Sequence, residues 1–191
     1  MRWLALLAPA LLVAGEAFWN VKPPAEWSIE EVTAILRQSP WATVSTATMG
    51  PAIRMHLASA APMREAEARE RRLRAPVEPG ASFEEYREMI DTGRYIALAV
   101  LLRDALPVSD GIDARSLERD SILHVGRRSY KLVTYFPPTA GDPYLRYVFP
   151  REVRAGDKSL LFDIYVPGVA YPQRHTEFDL RGMEYRGRQA F

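Results

Sequence analysis

The stretch His175-Thr176-Glu177-Phe178-Asp179-Leu180 carries the densest set of chemically capable side chains in the chain. On a strand, alternate residues share a face, so His175, Glu177 and Asp179 would stand together opposite Phe178 and Leu180. An imidazole beside two carboxylates is a donor set for a divalent cation such as Zn²⁺ or Mn²⁺, or for a tuned acid–base group. The same alternation is also the plain pattern of a sheet with one wet face, and no second motif supplies further ligands. A solvated face is therefore expected, with a metal-binding or hydrolytic site built on it as the alternative.

The remaining candidates are thinner. His56 lies between Met55 and Leu57, opposite the apolar side of its segment, and His124 precedes a turn. There is no Gly-x-Ser-x-Gly elbow to expose a nucleophile. No glycine-rich phosphate loop or dinucleotide fingerprint occurs, so no cofactor is expected. Asp110-Gly111-Ile112-Asp113 and Gly141-Asp142 lack the oxygen-ligand series of a calcium loop and read as ordinary turns. Seven tyrosines from Tyr130 to Tyr185 fall in the second half of the chain. If Tyr135 and Tyr165 project from the face opposite the main core, they form an aromatic surface for a sugar ring or a partner protein. The favoured arrangement puts them in the core with hydroxyls at its rim.

The elements that must position these residues follow from periodicity. Ser28-Ile29-Glu30-Glu31 is a capping box, and Ile29, Val32, Ile35 and Leu36 recur at helical spacing, which predicts a helix over 29–38. Pro23-Pro24 between Trp19 and Trp27 reads as an extended strap pinned by two indoles. Trp41 to Thr48 and the alternating Ile53, Met55 and Leu57 predict a hairpin. A helix from Pro62 to about Arg74 has three acid-before-base pairs at i,i+4 and a sparse apolar stripe, so it should lie loosely on the surface. Ser82 to Glu85 repeats the capping pattern before a helix with Phe83, Tyr86, Met89 and Ile90 on one face. Tyr95 to Leu102 reads as a central strand and 107–115 as a polar loop. From Ser121 onward the period is two. A hairpin of Ile122–Val125 with Ser129–Phe136 is expected, then strands at 145–150, 160–166, 178–180 and 183–187. The fold class is α+β: mainly antiparallel β, as a sandwich or partly open barrel in the C-terminal half, with two or three short amphipathic helices in the N-terminal half.

Composition bounds what this architecture is for. The chain has 191 residues, 48% apolar and 26% charged, with 25 Lys+Arg against 24 Asp+Glu and no Cys. That suits one domain with a proper core and excludes a thiol nucleophile, a Cys-ligated metal and a disulfide framework. In Arg69-Glu70-Arg71-Arg72-Leu73-Arg74 the glutamates interleave at pairing distance, which argues against a phosphate-tracking stripe and hence against nucleic acid. Met1-Arg2 followed by Trp3 to Ala14 is one positive charge and an apolar run shorter than a membrane span, ending in small residues to Ala17. This is the plan of a secretory leader over 1–17, leaving 18–191 as the exported α+β domain, periplasmic or secreted, with no integral membrane segment after cleavage.

Two groups of motifs carry a resemblance. Pro23-Pro24, Trp27-Ser28, Glu30-Glu31-Val32, Ile35-Leu36 and Ser39-Pro40-Trp41-Ala42 form the first. The second is Val148-Phe149-Pro150-Arg151, Asp157-Lys158-Ser159-Leu160 with Phe162, and Phe178, Leu180, Gly182-Met183, Tyr185 and Gly187. Together they resemble the opening and closing signatures of a family of uncharacterised bacterial secreted proteins. The resemblance implies export and a shared fold and brings no reaction, ligand or catalytic residue. The expected function is a non-catalytic envelope or secreted binding module with a protein or glycan partner. The alternative is an exported hydrolase or metal-binding protein using His175, Glu177 and Asp179.

Overall fold

In the computed structural model, residues 16–45, 50–74, 80–102 and 110–191 are described. Residues 1–15 of the expected leader lie outside them, as do 46–48 of the expected first strand and 107–109 of the expected loop. Among the described residues no helix is long and apolar enough to cross a membrane. The fold is α+β with antiparallel sheets and, among the described residues, no closed barrel.

Helix α1 (Phe18–Val21) and a 3-10 turn (Pro24–Glu26) replace the extended strap, although Pro23 keeps a polyproline-like backbone. The indoles still pin it: Trp27 is fully buried, and Trp19 meets Trp41 edge-on at 6.0 Å. Helix α2 (Ile29–Gln38) has the predicted bounds. Its capping box is formed, with Ser28 N–H donating to Glu31 at 2.7 Å and Glu31 N–H donating to Ser28 Oγ at 3.3 Å. Strands β1 (Ala42–Ser45) and β2 (Ile53–Leu57) pair antiparallel, as expected of a hairpin.

Helix α3 (Ala61–Leu73) is not loosely laid. Pro62, Met63, Ala66 and even Glu67 are buried, while Leu73 of the expected stripe is exposed. Helix α4 (Ala81–Asp91) starts one residue before Ser82, with Gly80 at its N-cap and no side-chain cap, so the second capping box does not form. Strand β3 (Tyr95–Leu101) is central, as its unbroken apolar run predicts. The segment expected as a polar loop contains the start of helix α5 (Asp110–Asp120), whose Leu117 is fully buried. After β4 (Ile122–Val125), the long second strand of the expected hairpin divides. Arg128–Lys131 (β5) returns along β4, and Thr134–Phe136 (β6) crosses to the other sheet. Then come β7 (Tyr144–Pro150), β8 (Ser159–Tyr165), β9 (Gln173–Asp179) and a small hairpin, β10 (Glu184–Tyr185) with β11 (Arg188–Gln189).

The larger sheet has the order β1-β2-β3-β7-β6 and the smaller one β5-β4-β8-β9. Their inner faces share the main core, where Phe149 of the first meets Phe162 of the second at 5.6 Å and Phe162 meets Phe178 at 5.8 Å. The outer face of the larger sheet is also covered. Phe83, Tyr86 and Ile90 of α4 pack on Ala97, Ala99, Phe136 and Val148 in a second apolar cluster. A sheet buried on both faces has nowhere to send its polar residues, and that constraint builds the site.

Candidate functional site

His56 and Arg146 are polar residues on that covered outer face, on β2 and β7. The ladder pairs His56 with Ala99 and Ala99 with Arg146, so the two lie in one row with a single alanine between them. Two strand spacings put their backbones roughly 10 Å apart, and Ala99 leaves the intervening space empty. Glu67 of α3 fills it. Imidazole Nε2 of His56 donates to Glu67 Oε1 at 2.6 Å, and Arg146 donates through Nη1 to Oε1 at 3.1 Å and through Nη2 to Oε2 at 2.9 Å. The same guanidinium donates from Nε and Nη2 to Asp142, both at 2.7 Å. Its planar fork suits two carboxylates at once. Its faces meet aromatic rings, Tyr86 at 4.5 Å and Tyr144 at 5.2 Å.

Arg146 is completely buried, and the others are within a few per cent of it. Burial alone would raise the Glu67 carboxyl, but Arg146 and His56 more than offset it and hold it at about 2. Burial pushes the Tyr86 phenol up to about 12 and the Tyr144 phenol higher still. Arg146 is driven well above its ordinary value, because Glu67 and Asp142 outweigh its desolvation. These directions describe a fixed, fully ionised carboxylate–guanidinium core.

A cavity of about 440 Å³ opens beside this row. Its floor holds His56, Leu101 and Tyr144 from the sheet. Arg37 of α2, Arg54 of β2, Arg71 of α3 and Arg74 at its C-cap form cationic walls, with Glu70 among them. The Tyr144 ring stands edge-on to His56 at 4.9 Å. Two of the arginines are compensated within the chain: Arg74 pairs with Glu70 at 2.8 Å, and Arg71 lies 3.7 Å from Glu67.

The residues singled out in the sequence lie on the far side of the molecule. Along β9 the side chains alternate as expected, with His175, Glu177 and Asp179 exposed and Arg174, Thr176 and Phe178 buried. The three do not converge. His175 Nδ1 bonds Asp163 of β8. Asp179 accepts from Arg181, including Nη2 at 2.7 Å, and those bonds hold its carboxyl at about 2. Glu177 borders a shallow depression with Lys158. Asp163 also takes Nε2 of His124 at 3.0 Å, so one carboxylate bridges two histidines. Among the described residues no group of three or more His, Asp or Glu is placed to hold a metal ion. Tyr135 and Tyr165 are half-buried against the main core, and the Tyr165 hydroxyl donates to Asp113 at 3.1 Å.

Sequence reasoning missed Glu67, Asp142 and Arg146 and set His56 aside. The available signal was Arg146 itself, alternating with Tyr144 and Val148 in a strand too apolar to have a wet face. No family model, no curated protein and no solved structure matches the chain, so the resemblance drawn from the motifs stands on those motifs alone.

Proposed function

We propose that the protein is an exported binding module that acts without catalysis and holds a small ligand in the arginine-walled cavity between α2, α3 and the larger sheet. Export is supported by the leader pattern at the N-terminus. The observation that carries the binding reading is the cavity itself. At about 440 Å³ it is of small-molecule size, and it is lined by apolar floor residues and several cations from three separate elements. Its polar floor is rigid, because the Glu67 carboxylate beneath His56 is already engaged by Arg146 through both oxygens. A carboxylate so neutralised orients its histidine firmly and is poorly placed to drive proton transfer. A small ligand therefore takes the place of the protein or glycan partner as the best-supported occupant.

The test is a thermal-shift screen of small molecules on the full chain, repeated on Ala140→Trp, which fills the mouth from an exposed position. A ligand should raise the melting temperature of the parent and fail to raise that of the variant. A shift that survives Ala140→Trp overturns the site, and conversion of the bound molecule into a product overturns the module.

A further inference from the structure

The cavity's charges suggest which small molecule it takes. Arg37 and Arg54 line it from different walls, and neither has an ion pair or hydrogen bond among the described residues. With Arg71 and Arg74 answered by Glu67 and Glu70, two positive charges remain uncompensated around one cavity. The floor adds an unusual polar group: His56 is 3% exposed, its Nε2 is committed to Glu67, and its Nδ1 makes no hydrogen bond among the described residues. That ring atom is not one of the fully buried polar atoms left without a partner, so it keeps contact with the cavity and is open to a ligand atom. Leu36, Leu101, Pro143 and the Tyr144 ring supply an apolar wall that a bare inorganic ion would leave unused.

We infer that the ligand is a small organic dianion, either a phosphate monoester or a dicarboxylate. Its two charges answer Arg37 and Arg54, and its carbon body rests on the apolar wall. This rests on the cavity being the binding site.

The experiment is isothermal titration of the full chain at pH 8 with four probes: phenyl phosphate, succinate, benzoate and benzyl alcohol. Phenyl phosphate carries close to two charges at that pH, its second ionisation lying near pH 6. At least one of the two dianions should bind on the order of tenfold more tightly than benzoate, with benzyl alcohol weakest. Arg37→Gln and Arg54→Gln should each weaken that dianion by on the order of tenfold, the usual size of a charge-assisted contact. Whichever dianion binds more tightly identifies the source of the charges. Benzoate or benzyl alcohol binding as tightly as either dianion overturns the inference, and so does dianion binding untouched by both substitutions or no binding by any probe. If a neutral probe binds and Ala140→Trp abolishes it, the cavity stands and only the dianion falls. Binding that ignores Ala140→Trp removes both.

Discussion

His56–Glu67 on the covered face of the larger sheet and His124–Asp163–His175 on the open face of the smaller sheet both set imidazole against a carboxylate at similar distances, 2.6 Å for the first pair and 3.0 Å for His124–Asp163. Their surroundings are opposite. Glu67 and His56 have side chains 4% exposed, whereas Asp163 and His175 are 34% and 74% exposed. In water the attraction between such groups is screened and each can be solvated by itself, so the pair matters little to the fold. Under α3 Glu67, Asp142 and Arg146 are almost wholly buried, so solvation cannot make good a missing partner and every member depends on the others. The difference teaches that a histidine–carboxylate pair takes its meaning from what covers it.

The comparison is broken most forcefully at Arg146. Arg146→Met keeps much of the volume but leaves Glu67 and Asp142 buried without their cation. It should destabilise by about 3–5 kcal/mol in chemical denaturation. A loss under about 1 kcal/mol would mean that water reaches the network and that the two regions do not differ in kind.

Acid should separate them next. Glu67 is held at about 2 when folded against an ordinary 4.5, so in acid the unfolded chain takes up the proton first. The contribution is complete above about pH 4.5 and is lost as the pH falls towards 2, amounting to roughly a few kcal/mol. Glu67→Gln should be less stable than the parent at pH 7 and should show a flatter fall in stability between pH 5 and 2. Equal slopes would place the acid sensitivity elsewhere, with Asp179 the first alternative.

How much of this was legible in the sequence follows from which forces are local. Ser28 and Glu31 fix the start of α2 through bonds three residues apart, and Ile29 to Gln38 formed as the pattern required. The alternation Leu160, Phe162, Ile164 and that of β9 were read correctly because a two-residue period assigns faces directly. Glu67 was misread because its i,i+4 neighbour Arg71 offered a plausible surface partner, while the decisive one, Arg146, lies 79 residues away. Arg146 was passed over for a related reason. Facing alone assigns it to the outer side of β7, and only the docking of α3 and α4 turns that side into an interior. The break between β5 and β6 was invisible because Leu132 and Val133 keep the segment apolar and strand-prone through the point where the chain changes sheet. Helix α5 was lost to turn-forming Asp and Gly at its start, although Leu117 holds it to the core.

Ala99 tests the geometry of the row. It is fully buried and sits between His56 and Arg146, in the space that Glu67 must cross. Ala99→Leu adds side-chain volume to that space and should destabilise by about 1–3 kcal/mol. If the row is the floor of the binding site, the same change should also weaken ligand binding by displacing His56. Ala97, two residues earlier on the same strand face, is the control: it packs in the α4 cluster, so Ala97→Leu should cost comparable stability and spare binding. Equal effects on binding would mean that His56 is not held from this row.

The smallest expected effect comes from the open sheet, and it is the sharpest test of the contrast. Asp163→Asn removes the charge that His124 and His175 share while preserving shape and one acceptor oxygen. Because all three groups are well hydrated, the loss should be about 0.2–1 kcal/mol and should shrink further as salt is raised. Ligand binding in the arginine-walled cavity should be unchanged, since β8 contributes nothing to its lining. A double substitution pairing Asp163→Asn with Glu67→Gln should give additive losses, because the clusters occupy different sheets and share no partner. Non-additivity beyond about 0.5 kcal/mol would show that the exposed histidines feel the buried network through the common core, and the separation between the two regions would then be one of degree.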